Sequence, residues 1–126
     1  MEVVSSDSWD DAVESYRQFI DELGWRQQPM LDFVSWLSAS EYRRLLYPCL
    51  SHEALGLSTV ATYQERLHVP AVSITYIEHH QRFVIHYHRS QGIEAGEEAV
   101  ESPQHPDVFA RILDWLGLKN AVPTIN

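Results

Sequence analysis

Apolar residues recur at helical spacing near the start of the chain. Trp9, Ala12, Val13, Tyr16, Phe19, Ile20 and Leu23 follow the i, i+3, i+4, i+7 pattern, while Asp10, Asp11, Glu14, Arg17 and Asp21 take the opposite side. This spacing predicts an amphipathic helix whose aromatic stripe faces a core. Ser8 can cap its start and Gly24 can close it in the left-handed conformation.

Between Leu67 and Arg89 the period changes from helical to alternating, the mark of a β-hairpin. With His80 and Gln81 at the tip, Thr75 faces His86, Ser73 faces His88, Tyr76 faces Ile85 and Ile74 faces Tyr87. Val72, Ile74, Tyr76, Phe83, Ile85 and Tyr87 then share one apolar side, and Ser73, Thr75, Ile77, Val84, His86 and His88 the other. A slip of one residue would mix the two sets, so the alternation itself selects the facing. Pro70 fits the start of a strand, where its missing donor is harmless.

The remaining segments complete the plan. Pro29 suits a first helical position, Ser38 and Glu41 form an S-x-x-E box, and Pro48 stops the helix near Tyr47, so 29 to 47 reads as two short helices or one bent one. Ser51 can cap a short turn, His52 to Leu55, ended by Gly56. Leu57 to Arg66 reads as a third strand, from its β-branched and aromatic content. Ser90 to His105 reads as a surface loop with a short strand near Ala99 and Val100. Pro106 opens a last helix with a stripe of Val108, Phe109, Ile112, Leu113 and Leu116, closed by Gly117, and Leu118 to Asn126 carries no regular pattern. The expected class is α+β: a small antiparallel sheet of three or four strands, built on the hairpin at about 67 to 90, packed against N-terminal helices and a C-terminal helix. At 126 residues with 44% hydrophobic content, 1 to 126 forms one domain able to bury roughly two-thirds of its unfolded surface.

Charge changes the picture more by its distribution than by its total of −9. Residues 1 to 23 sum to −6 and residues 91 to 107 to −5, whereas 24 to 90 and 108 to 126 each sum to +1. Such a field repels phosphate backbones and anionic lipid, which disfavours nucleic acid and membrane surfaces and favours a basic protein partner. His52 to Leu67 loosely echoes a helix-turn-helix, but His52 and Thr62 stand where that motif wants small and apolar residues, and Arg66 is the one base on its second helix. No apolar run approaches the ~20 residues of a membrane span, and MEVVSSDSW has no basic stretch followed by an apolar one. The single cysteine, Cys49, fits a reducing compartment, so the expected location is cytoplasmic.

Histidine supplies the candidate chemistry. His86 and His88 alternate along one strand and project from one face, a spacing that can offer two nitrogens to one metal ion. A third ligand could come from His52, Cys49, Glu78 or an acid of the 94 to 101 segment. A hydroxyl of Ser73 or Thr75 beside such an imidazole is half of a nucleophile-base pair, lacking an orienting group and an oxyanion site. Cys49 and His52 form C-x-x-H just before the short turn, where a helix dipole would favour a thiolate. P-loop, dinucleotide, C-x-x-C and H-E-x-x-H motifs are absent from the sequence, and it names no cofactor.

The leading expectation is a small acidic interaction protein, an inhibitor, immunity-type protein or adaptor, that meets a basic partner through Glu94, Glu97, Glu98 and Glu101. The alternative is a hydrolase or metal-binding protein using His86 and His88 with Ser73 and Thr75. A third reading covers the histidine face in a homodimer, with Ile77 and Val84 at its apolar centre.

Overall fold

A computed structural model describes residues 8 to 118. In chain order the elements are α1 (Trp9–Asp21), α2 (Gln28–Ala39), a 3-10 turn (Glu41–Arg44), β1 (Tyr47–Ser51), β2 (Ala54–Ser58), α3 (Tyr63–Arg66), β3 (Ala71–Ile77), a second 3-10 turn (Glu78–His80), β4 (Arg82–Ser90), β5 (Ile93–Val100) and α4 (Pro106–Trp115). The class is α+β. The sheet has five strands rather than three or four, in the order β1-β2-β3-β4-β5, every pair antiparallel.

The helix ends follow local chemistry. The Ser8 side chain accepts from the Asp11 backbone N–H at 3.1 Å, and Gly24 and Gly117 take positive φ beyond the helices they follow. Trp9, Ala12 and Tyr16 bury the α1 stripe, while Leu23 lies past the helix end and is exposed. The expected Ser38–Glu41 box does not form. Ser38 sits inside α2, and Ser40 instead accepts from the Tyr42 N–H and starts the 3-10 turn. The tail from 119 onward lies outside the described residues.

Two further expectations are corrected. His52 to Leu55 is not helical: His52 takes φ 56° in the two-residue turn joining β1 to β2, so Cys49 lies in a strand without a helix start beside it. Leu57 to Arg66 is not a strand. β2 ends at Ser58, and Thr62 with Glu65 makes a complete capping box opening α3. The strand at Leu55 also removes the helix-turn-helix reading.

The apolar sides meet in one buried cluster. Leu55, Leu57, Val72, Ile74, Phe83, Ile85 and Val100 of the sheet pack with Phe33, Val34 and Leu37 of α2 and Val108, Phe109, Ile112 and Leu113 of α4. Val72, Ile74, Phe83 and Ile85 are buried and Tyr76 and Tyr87 pack at the margin, so the alternating side of the hairpin is the core side. Polar tips of aromatic residues tie the layers together. Trp9 Nε1 donates to the Leu46 carbonyl at 3.1 Å, and Tyr16 Oη to the Glu53 carbonyl at 2.7 Å. Trp115 Nε1 donates to the carbonyls of Ala71 and His88 at 3.2 and 2.9 Å.

The hairpin register differs from the predicted one by two residues. Ser73 faces His86, Thr75 faces Val84, Ala71 faces His88, Tyr76 faces Phe83 and Ile74 faces Ile85. A shift of two preserves which side each residue takes, so the two faces stand as predicted while every pair changes. The turn is centred one residue earlier, on His79 and His80, with Gln81 left-handed at φ 53°.

Candidate functional site

The segment expected to be an acidic loop is an eight-residue edge strand, β5, with Glu101 in the bend that follows it. Its pairing with β4 is irregular. Phe83 faces Val100, Val84 faces Ala99, Ile85 faces Glu98 and His86 faces Glu97; the register then shifts between Tyr87 and His88, so that His88 faces Glu94. Glu94 and Glu97 are three residues apart and would point to opposite sides of a regular strand. The extra residue in β5 brings Glu94 to the outer side, away from the helices, together with Glu97 and both histidines.

The acids therefore divide. His86 Nδ1 lies 3.1 Å from Glu94 Oε2 and 3.5 Å from Glu97 Oε1, and one ligand atom from each of the three residues lies within 4.8 Å of the others. The His88 ring stacks beside that of His86 at 6.4 Å between centroids but does not join this cluster.

Glu98 turns to the helix side. Arg111 of α4 donates to it twice, Nε to Oε2 at 3.1 Å and Nη2 to Oε1 at 2.8 Å, and the Tyr87 hydroxyl also donates to Oε2. The Arg111 hydrogen bonds hold the Glu98 carboxyl below the ordinary carboxylate range, partial burial opposes them, and the Tyr87 hydroxyl reinforces them. Burial and then Glu98 hold the Tyr87 phenol well above its usual value. A carboxyl with a depressed folded pKa lends stability above its unfolded value, about 4.3, and that stability is lost as pH falls through the folded value. Glu98→Gln is accordingly expected to flatten the acid limb of stability below about pH 4.5, read as urea midpoints against pH. An acid limb identical to the parent's would refute the assignment.

Beside this ion pair, a groove of about 570 Å³ runs between β5 and α4, with Tyr87 and Trp115 as its aromatic part and Gly96, Glu98, Arg111 and Asp114 among its rim. The two rings meet edge-on at 5.6 Å.

On the outer face, register aligns Cys49, Gly56, Ser73, His86 and Glu97 in one row across all five strands. Ser73, not Thr75, is the hydroxyl beside His86. Among the described residues no side-chain hydrogen bond joins the two, and no helix start or glycine turn aims paired N–H groups at Ser73, so the row stops short of a nucleophile-base-acid relay. His88 and Cys49 instead border a hollow of about 300 Å³ over β1 to β3. Ile77 and Val84 lie half-buried on the same face.

His86 and the 94 to 101 acids are legible in the sequence as candidate ligands, whereas His88, the expected second nitrogen, stands outside the cluster. Tyr87, Arg111 and Trp115 are not legible as site residues: an aromatic inside a strand, a lone base on a helix and an aromatic at that helix's end carry no signal of the contacts they make. Among the described residues, no helix is long and apolar enough to cross a membrane. Comparison with protein-family models, curated proteins and solved structures gives no match.

Proposed function

We propose that this chain is a small acidic protein-interaction module, an inhibitor, immunity-type or adaptor protein, that receives a basic, extended segment of its partner along β5. The observation that carries the reading is the position of β5: it closes the sheet, no described strand lies beyond it, and it bears Glu94, Glu97 and Glu98 with no base. An edge strand offers a ladder of unpaired backbone groups, and a segment adding to it gains main-chain hydrogen bonds while its alternate side chains enter neighbouring pockets. The groove floored by Tyr87 and Trp115 lies where such side chains would fall, and its acidic rim suits Lys or Arg. Acids on an edge also deter self-pairing, which fits a strand kept open for a different chain. The lone half-buried cysteine supports a cytoplasmic setting.

The acidic N-terminal segment is a separate surface. Trp9 and Tyr16 fasten α1 beside β1, at the far side of the sheet from β5. This separation gives the test its control. Wild-type protein and the variant Glu94→Lys, Glu97→Lys, Glu101→Lys are used as bait, with Asp10→Lys, Glu14→Lys as comparator. Wild type and the α1 variant are expected to capture the same basic protein. The β5 variant is expected to lose it, as is wild type at about 1 M salt, where charges are screened within about 3 Å. Capture unchanged by the β5 reversals, or lost with the α1 reversals instead, sinks the proposal.

A further inference from the structure

His86, Glu94 and Glu97 form a set of one nitrogen and two carboxylate donors that two adjacent strands hold together. The strand positions are not interchangeable. Glu97 reaches the imidazole because it is the direct cross-strand partner of His86, and Glu94 because the register shift after Tyr87 carries it to the same side. The result is a nitrogen facing two carboxylate oxygens, at 3.1 and 3.5 Å. Two carboxylates converge there on one imidazole nitrogen, an arrangement that a cation ligated by all three side chains would complete.

The spacing fits a cation. With metal–nitrogen and metal–oxygen bonds of about 2.0–2.2 Å, neighbouring donors stand roughly 3.0 Å apart around an octahedral ion and roughly 3.5 Å apart around a tetrahedral one. The imidazole–carboxylate distances, one of them that of a hydrogen bond, lie within this range of about 3.0–3.5 Å, and the two carboxylates, already within 4.8 Å of each other, need only side-chain rotation to close. The donor type selects the ion. Calcium and magnesium prefer all-oxygen shells, soft ions prefer thiolate, and one imidazole with two carboxylates suits zinc, manganese, iron(II) or cobalt(II). The side chains of His86, Glu94 and Glu97 are 32%, 44% and 62% exposed, so an ion held by them keeps open positions toward water.

We propose that His86 Nδ1 with the carboxylates of Glu94 and Glu97 is a binding site for one divalent first-row transition ion, on the outer face of the β4–β5 pair. The site shares Glu94 and Glu97 with the interaction proposal, and Glu97 also lines the helix-side groove, so the variant that separates the two is His86→Ala, which removes the nitrogen ligand and leaves every β5 acid in place.

The test uses untagged full-length protein stripped with a chelator, titrated with zinc by calorimetry and with cobalt(II) by visible absorption. One ion per chain is expected, with cobalt bands of nitrogen and oxygen ligation. His86→Ala should abolish the site and Glu97→Gln should weaken it tenfold or more, with circular dichroism verifying that both variants fold; His88→Ala should bind as the parent does. Absence of zinc binding at millimolar concentration would overturn the proposal. So would stoichiometric binding that survives His86→Ala, or that is lost on replacing His88 or the turn residues His79 and His80. Partner capture that His86→Ala leaves intact while zinc binding is lost tells the two proposals apart, because the lysine reversals at Glu94 and Glu97 remove ligands and edge charges together.

Discussion

Ile85→Ala is expected to destabilise the fold by about 2–5 kcal/mol, while Val84→Ala, one residue earlier on the same strand, costs about 1 kcal/mol or less. Ile85 is fully buried and faces Ile74, also fully buried, in the centre of the β3–β4 ladder. Removing its methyl groups leaves a cavity between two central strands and the helices, which can collapse only by moving backbone. Val84 points to the outer face and is half-buried there, where solvent can fill the space. Thermal unfolding of both variants measures the contrast, with a midpoint shift of roughly 8–20 °C for Ile85→Ala. Equal shifts for the two would mean the outer face is covered as the inner one is, which is the homodimer arrangement.

A second large effect is expected at Trp115, where alanine should cost about 2–4 kcal/mol and phenylalanine roughly half of that. The indole packs edge-on against Tyr87 and its N–H bridges the carbonyls of Ala71 and His88, which face each other where the β3–β4 ladder ends. That end is also where the β4–β5 register slips, so Trp115 pins two strands to α4 where the ladder is irregular. Phenylalanine keeps most of the ring contact and loses the bridge. Denaturant midpoints give the cost, and amide exchange should quicken near Ala71 and His88 in both variants. Unchanged exchange there would remove the bridging role.

The inner face of the hairpin was legible because alternation needs no knowledge of partners: Val72, Ile74, Phe83 and Ile85 are apolar at every second position and all are buried. Pair identities were not legible. Parity survives a shift of two, and the tip EHHQ contains no glycine to mark its centre, since Gln81 itself adopts the left-handed conformation. β5 escaped for a different reason. Ile93 to Val100 holds three glutamates, a glycine and two alanines, poor strand formers, and it is a strand because β4 offers it a ladder; the tertiary partner overrides local preference. The candidate site was half legible. His86 and the acids were visible as types, but the bulge that places Glu94 beside Glu97 and the Arg111 that draws Glu98 away both depend on contacts between elements. Thr62 and Glu65, by contrast, announce α3 by a capping box that local reading could have found.

The order of strands in the sheet is also their order in the chain, and this governs how the protein can assemble. Two-residue turns join β1 to β2 and β4 to β5, and a single 3-10 turn joins β3 to β4. These three pairings close small loops, and β2 to β3, joined through residues 59 to 70 with α3 between them, is the longest step, yet every strand still pairs with its neighbour in the chain. The N-terminal helix is the exception, because Trp9 and Tyr16 reach carbonyls 37 residues away. The sheet can thus zip as a run of hairpins, with α1 closing over its β1 margin only once that margin exists.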